Sequence, residues 1–286
     1  MIILLRQRSV PCCLAIGLLG LFTTKSVAQS EMHRHKSLRL NAGLSRVAAK
    51  DLSLSPLLYT GTGLKVGVGY EWGKRESRNN GLSVHYRGGA LSNPVFAQPR
   101  ISVNNVAVRY HHLRQVGSSG LRIGGVSSVF FYFKTYLIER SNNPNSFDAG
   151  ANVGLAAEYN FRRFNKKWSV TLGGQLPVMA YYMRPTYGVP FPPEFLTEEY
   201  YTPYLEASTV LAALPASGEV VSFDTYFEIR TYVTLTRSLT DMFDELRLRY
   251  QWNYMQYRSL ESSYHAEQLF SVGLVKYLNN HSRHEK

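Results

Sequence analysis

Hydrophobic and polar residues alternate along much of this chain, most regularly from Val221 to Tyr257. Val221, Phe223, Thr225, Phe227, Ile229, Thr231, Val233 and Leu235 interleave with Ser222, Asp224, Tyr226, Glu228, Arg230, Tyr232, Thr234 and Thr236. Beyond a turn at 238–245, Leu246, Leu248, Tyr250, Trp252 and Tyr254 interleave with Arg247, Arg249, Gln251 and Asn253. Successive side chains of a strand leave on opposite faces, so this stretch predicts a hairpin with one apolar, aromatic face and one charged face. A membrane barrel requires that division, with lipid outside and a polar lumen inside. The polar face sets Asp224, Glu228 and Arg230 beside Arg247 and Arg249, within reach for cross-strand pairing.

The same alternation recurs at Leu38–Ser45, Leu64–Trp72, Leu82–Arg87, Val106–His111, Leu121–Lys134, Ala151–Phe161, Trp168–Leu176 and Glu267–Tyr277, which with the hairpin predicts ten strands. Connections at 73–81, 114–119, 162–167 and 238–245 are short; those at 46–63, 92–101, 135–148, 177–220 and 258–265 are generally longer. Short turns at one end and long loops at the other are the habit of outer-membrane barrels. The expected fold is therefore all-β: one transmembrane antiparallel up-and-down β-barrel of about ten strands. The number becomes twelve if Leu52–Tyr59 and Leu205–Leu214 are strands as well. The stretch 177–220, dense in Pro and Tyr, is expected to be a long functional or plugging loop. Within it Tyr181-Tyr182 and Tyr200-Tyr201-Thr202-Pro203-Tyr204 read equally as an aromatic ligand platform or as interfacial packing.

The first residues change the picture of where this sheet resides. Arg6 and Arg8 precede an 11-residue apolar run, Cys12 to Phe22, and Ser26-Val27-Ala28 offers small residues for cleavage. That pattern predicts a cleaved signal peptide at 1–28 and a single barrel domain at 29–286. The run is too short to span a bilayer, which takes about 20 residues. Both cysteines, Cys12 and Cys13, lie in the segment to be removed, so stability must come from sheet closure and burial. Removing 1–28 takes away Arg6, Arg8 and Lys25 and no acid, leaving 29 bases against 20 acids, or +9. An exported chain with no basic helix is not expected to bind nucleic acid. The expected partners are outer-membrane lipid and lipopolysaccharide, the barrel-assembly machinery, and a small solute or protein that the residues do not identify.

The signal sequence, the Tyr-rich alternating strands and the turn Ser238-Leu239-Thr240-Asp241 leading into Leu246-Arg247-Leu248-Arg249-Tyr250 resemble uncharacterised outer-membrane barrel proteins of Bacteroidetes-type bacteria. The resemblance covers the mature chain. It implies a barrel fold and a bacterial outer-membrane location, and no functional residues.

By face, the lumen is expected to hold Arg39, Lys65, Arg87, Arg109, Arg122, Lys134, Arg230, Arg247 and Arg249 against Glu71, Glu158, Asp224, Glu228 and Glu267, with His85 and His111 among them. On lipid, each Arg or Lys would cost about 2–4 kcal/mol near the midplane, so the register is set firmly. A basic lumen of this kind reads as the packed interior of a structural or partner-binding barrel, or as a narrow anion-preferring pore. A third reading is an outer-membrane hydrolase. Ser83 and His85 share a face, and Asp148, Asp224, His265 and Glu267 fall near one mouth. But no oxyanion motif or orienting acid accompanies the Ser/His pair, so no catalytic residues are assigned. No spacing of a metal site and no cofactor motif is present, and neither is expected.

Overall fold

A computed structural model describes residues 34–52, 54–74, 77–93, 100–136, 145–165, 167–184, 218–240, 242–258 and 262–278. The expected signal segment, Tyr200–Tyr204 and Leu205–Leu214 lie outside the described residues. The strands are β1 (Arg34–Asp51), β2 (Ser55–Lys74), β3 (Arg78–Ser92), β4 (Arg100–Gln115), β5 (Leu121–Tyr136), β6 (Asn145–Asn165), β7 (Trp168–Met183), β8 (Glu219–Val221), β9 (Tyr226–Ser238), β10 (Glu245–Tyr257) and β11 (Ser263–Tyr277). Neighbours pair antiparallel, and β1 pairs with β11 from Ser37↔Tyr277 to Asp51↔Ser263, which closes the sheet. Because β8 and β9 both pair with β7, they form one stave, and the molecule is a closed ten-stranded antiparallel barrel. Residues 55–59 prolong β2 and add no strand of their own.

Around the middle of the barrel the apolar face points outward. Leu40, Leu44, Leu64, Val66, Val68, Val84, Val129, Leu155, Phe270 and Val272 are exposed there. Aromatic pairs flank them: Tyr70 stacks on Trp72 at 5.4 Å toward the short turns, and Phe227 meets Tyr254 at 6.2 Å toward the loops. An apolar band between aromatic rims is the construction of a transmembrane barrel.

Toward the loop end the chemistry of the two faces exchanges while the alternation keeps its phase. On β1, outward Leu44 gives way to outward Arg46, and inward Ser45 to inward Val47 and Ala49. On β2 to β4 the inward residues become Tyr59, Leu91, Ile101 and Val103, which bury together with Val47, Ala49 and Tyr132. The outward ones become Thr60, Thr62, Ala90 and Ser102. This part of the wall carries an apolar cluster on its inner face, with the buried Asp51 and Ser55 beyond it, while Leu52 and Leu58 remain exposed outside. The exchange explains why 46–63 reads as a loop from sequence, since a search for apolar-out, polar-in alternation stops where the two swap. The connection is in fact only 52–54.

Two irregularities turn further residues inward. In β7 the pairing slips between Val153↔Met179 and Gly154↔Pro177. Such a bulge inserts one residue and flips the face of everything after it. Before it Thr171 and Gln175 face the lumen; after it Ala180 and Tyr182 do. The buried Pro177 sits at this bulge, where a strand tolerates a residue without an N–H. The second irregularity separates β8 from β9. The amide of Tyr226 donates to the Ser222 carbonyl at 2.7 Å, and the Ser222 hydroxyl donates to Asp224 at 2.8 Å. This turn breaks the unbroken alternation expected from Val221 onward: Val221 is buried inside, and Asp224 is carried into solvent.

Candidate functional site

Inside the short-turn half of the barrel is a cavity of about 770 Å³. Its rim is formed by Ser118, Ser119, Gly120, Lys167, Trp168, Ser238 and Tyr277, so it opens between the short turns. Arg39, Arg109, Arg122, Lys167, Arg230, Arg247 and Arg249 line it against Glu71, Glu158 and Glu245, an excess of four positive charges. Glycines on the same wall make room for these long side chains. A Cβ on Gly69 would stand 3.2 Å from the Arg39 guanidinium, and one on Gly67 would collide with the His85 ring.

The charges are sorted into networks. Glu71, from β2, accepts from Arg39 at 2.9 Å and from Arg247, across the seam, at 3.0 Å. Arg247 also holds Glu245 at 3.0 Å, and Tyr277 donates to Glu245 at 2.5 Å. The Tyr232 hydroxyl donates to Glu158 at 2.5 Å, while Arg249 lies over the Tyr232 ring at 4.5 Å. Nearer the loops, Arg87 pairs with Glu267 at 2.6 Å and contacts His265 at 3.2 Å. Asn253 donates to the same carboxylate at 2.6 Å. Glu228 pairs with Arg230 on its own strand and accepts from Asn152 at 2.9 Å.

The loop-side half of the interior is filled. Tyr182 stacks on Tyr257 at 4.3 Å and packs with Phe130, Tyr226, Ala107, Ala180 and Val221, with Met255 against them. Beside this cluster, among the described residues, lies an ionic square. Lys134 bridges Asp51 and Asp148, at 2.6 Å to the latter, and Arg184 bridges the same two carboxylates, at 3.0 Å to Asp148. All four side chains are at most 3% exposed. Aromatic cluster, aliphatic cluster and ionic square together form a plug.

No family model matches the chain, and no curated protein is similar to it in sequence. Among solved structures, the outer membrane protease OmpT from Escherichia coli is similar at 7% identity and a TM-score of 0.42, over 89% of this chain and 100% of that one. The translocator domain of autotransporter NalP from Neisseria meningitidis is similar at 9% identity and a TM-score of 0.38, over 92% and 93%. Ail, the attachment invasion locus protein of Yersinia pestis, is similar at 7% identity and a TM-score of 0.33, over 84% and 97%.

Of the residues assigned to the lumen by alternation, Arg39, Lys65, Glu71, His85, Arg109, His111, Arg122, Glu158, Arg247 and Arg249 lie in the short-turn half, and Arg87, Glu228, Arg230 and Glu267 toward the plug. Asp224 does not join them. It is fully exposed in the turn after β8, and hydrogen bonds from Ser222 and from the backbone hold its carboxyl below the usual range. Nor do Arg247 and Arg249 meet acids across β9: their partners in register are Thr236 and Thr234. Ser83 and His85 are closer than their spacing suggests, with Nε2 2.9 Å from the hydroxyl. The other ring nitrogen, Nδ1, is buried with no hydrogen-bond partner, so no acid orients the imidazole. Of the four residues expected at one mouth, Asp148 and His265 line one small cavity with Arg87, which also holds Glu267, while Asp224 lies apart in water. Tyr182, expected outside in a loop, is the centre of the plug.

Asp51 and Arg184 were hidden because both fall in stretches that read as loops. The one sequence signal for Arg184 is its even spacing from Tyr182, and that becomes informative only once the bulge is known.

Proposed function

We propose that the chain is a bacterial outer-membrane barrel without a through-path, structural or partner-binding, that offers a basic vestibule to the periplasm. The outward apolar band, the aromatic rims and the signal-like segment at 1–28 support the location. The habit of short periplasmic turns supports facing the vestibule inward to the cell. The observation that carries the reading is the plug: fully buried Tyr59, Tyr182, Tyr226 and Leu91 occupy the loop-side lumen. A barrel near eight strands is filled by its own side chains, and ten strands with an aromatic interior fit that regime. Purified protein in a planar lipid bilayer is expected to give negligible current while showing heat-modifiable migration; ohmic steps at low voltage would overturn the reading.

A second reading, the narrow anion-preferring pore, draws on the positive excess of the vestibule and requires the plug to move. Steps that appear only at high voltage, with anion-selective reversal potentials in a salt gradient, would favour it. We read the Ser83–His85 contact as lumen packing, without hydrolase activity. Lipid or peptide hydrolysis that disappears in Ser83→Ala would reverse this.

A further inference from the structure

At the deep end of the vestibule is a smaller cavity of about 50 Å³, whose basic lining residues are Arg39, Lys65, His85, Arg109, Arg247 and Arg249. Five of these six are cations, carried by β1, β2, β4 and β10; β10 is separated from β1 by β11 alone, while β4 stands across the lumen from it. Arg39 and Arg247 are both satisfied by Glu71. Lys65, Arg109 and Arg249 are not: among the described residues no carboxylate lies within 4.0 Å of any of them. Arg249 donates to the Thr234 hydroxyl at 2.9 Å, and Lys65 is 7% exposed. Arg109 Nε and His85 Nδ1 are buried polar atoms without a hydrogen-bond partner.

Buried cations are kept where an anion or a strong acceptor meets them. Here the chain provides only part of that complement. The stave between β10 and β1 adds Ser271 and Gly273 to the lining, beside the neutral Asn41 and Gln251, and a Cβ on Gly273 would meet nothing nearer than 3.4 Å. The cavity has room for roughly four water molecules, the scale of a small tetrahedral ion. Donors that converge from several directions, guanidinium groups among them, suit an oxyanion with acceptors on all sides.

We propose that the Lys65–Arg109–Arg249 cluster at the floor of the vestibule is a binding site for a phosphate-type oxyanion, which completes the charge balance of the interior. Only the compartment from which the ion enters rests on the outer-membrane reading. The chemistry of the site can be tested in detergent, apart from location and conductance.

The folded protein, in micelles and phosphate-free low-salt buffer, is titrated calorimetrically with inorganic phosphate and separately with glycerol 3-phosphate. Saturable binding at one site is expected. It should weaken by at least about tenfold in Lys65→Met and in Arg109→Gln, and persist in Lys65→Arg and in the outward-facing Lys276→Gln. Binding of phosphate alone would assign a free ion. Binding of both probes would assign the terminal phosphate of a larger molecule, the vestibule receiving the rest. Because a variant can fail to fold, phosphate is also added to the parent protein, where it should raise the urea midpoint. Failure of both probes to saturate and to stabilise the parent, or unchanged affinity in folded Lys65→Met and Arg109→Gln, would overturn the proposal.

Discussion

Replacing Lys134 with Met removes one corner of the ionic square. The charges of these four side chains balance; without Lys134 the remaining three carry one net negative charge, in a site where Asp148 is 0% exposed. The lost contact is large in gross terms. Unit charges 2.6 Å apart attract by about 6 kcal/mol at an effective dielectric constant near 20. Removing the ammonium also removes its own desolvation cost of several kcal/mol, which offsets much of that attraction. The remainder is the stranded carboxylate, and breaking buried pairs of this kind costs about 3–5 kcal/mol. At 1.4 kcal/mol per decade this moves the unfolding equilibrium by roughly two to three and a half powers of ten. Urea unfolding in lipid vesicles, followed through Trp72, Trp168 and Trp252 and by heat-modifiable migration, measures it. Adding Asp148→Asn leaves Asp51 and Arg184 as a neutral pair, so the double variant should be more stable than the sum of the singles predicts, by about 1–3 kcal/mol. A Lys134→Met variant within about 0.5 kcal/mol of the parent, or strict additivity in the double, would refute the account of the square as one charge-balanced unit.

Three further outcomes follow from the interior and the wall. Tyr182→Ala should cost about 3–5 kcal/mol and admit measurable ion current, because the removed ring is 1% exposed and stacks at the centre of the plug; a silent bilayer with the folded variant would count against the plug as the seal. Leu44→Arg should destabilise the vesicle-inserted barrel by about 2–4 kcal/mol, while Arg46→Leu, two residues along the same outer face, should change stability by less than about 1 kcal/mol; equal effects would place the lipid boundary elsewhere. Gly67→Val should cost about 1–3 kcal/mol, since its Cβ would collide with the His85 ring and stand 3.0 Å from the Asn41 side chain, and comparison of urea midpoints with Gly273→Ala, where there is space, tests that steric origin.

The ten staves and their order were legible in the sequence because period-two alternation survives wherever one face meets lipid. Leu64, Val66 and Val68 against Lys65, Gly67 and Gly69 is such a stretch, and its register is the observed one. Where the environment changed, the pattern stopped being readable. Arg46 to Lys50 and Tyr59 to Thr62 alternate still, but with the larger apolar residues Val47 and Tyr59 inside. Tyr182 is separated from its strand's earlier phase by the extra residue, Val178, next to Pro177, and nothing local announces which face follows a bulge. The reverse error occurred at Val221 to Thr225, where a run of perfect alternation conceals a turn made by Ser222 and Asp224. Cations on the regular stretches, such as Lys65 and Arg109, could be assigned to the lumen by facing alone, whereas Arg184 could not. The partners of the lumen cations could not be assigned in that way: Arg247 reaches Glu71, 176 positions away in the chain, across a seam that no sequence spacing records.

The exchange of faces toward the loop end also fixes how tall the molecule stands. At about 3.4 Å per residue the 20 residues of β2 run about 68 Å, or roughly 50 Å in height at a tilt near 40°, against an apolar band about 25 Å tall. Along β2, therefore, about half of the wall extends beyond an apolar band of that height, whereas the 13-residue β9 and β10 reach less far. The aliphatic cluster of Val47, Tyr59, Leu91, Ile101 and Val103 fills the inside of that extension, so its apolar side chains are sheltered by the wall rather than by lipid.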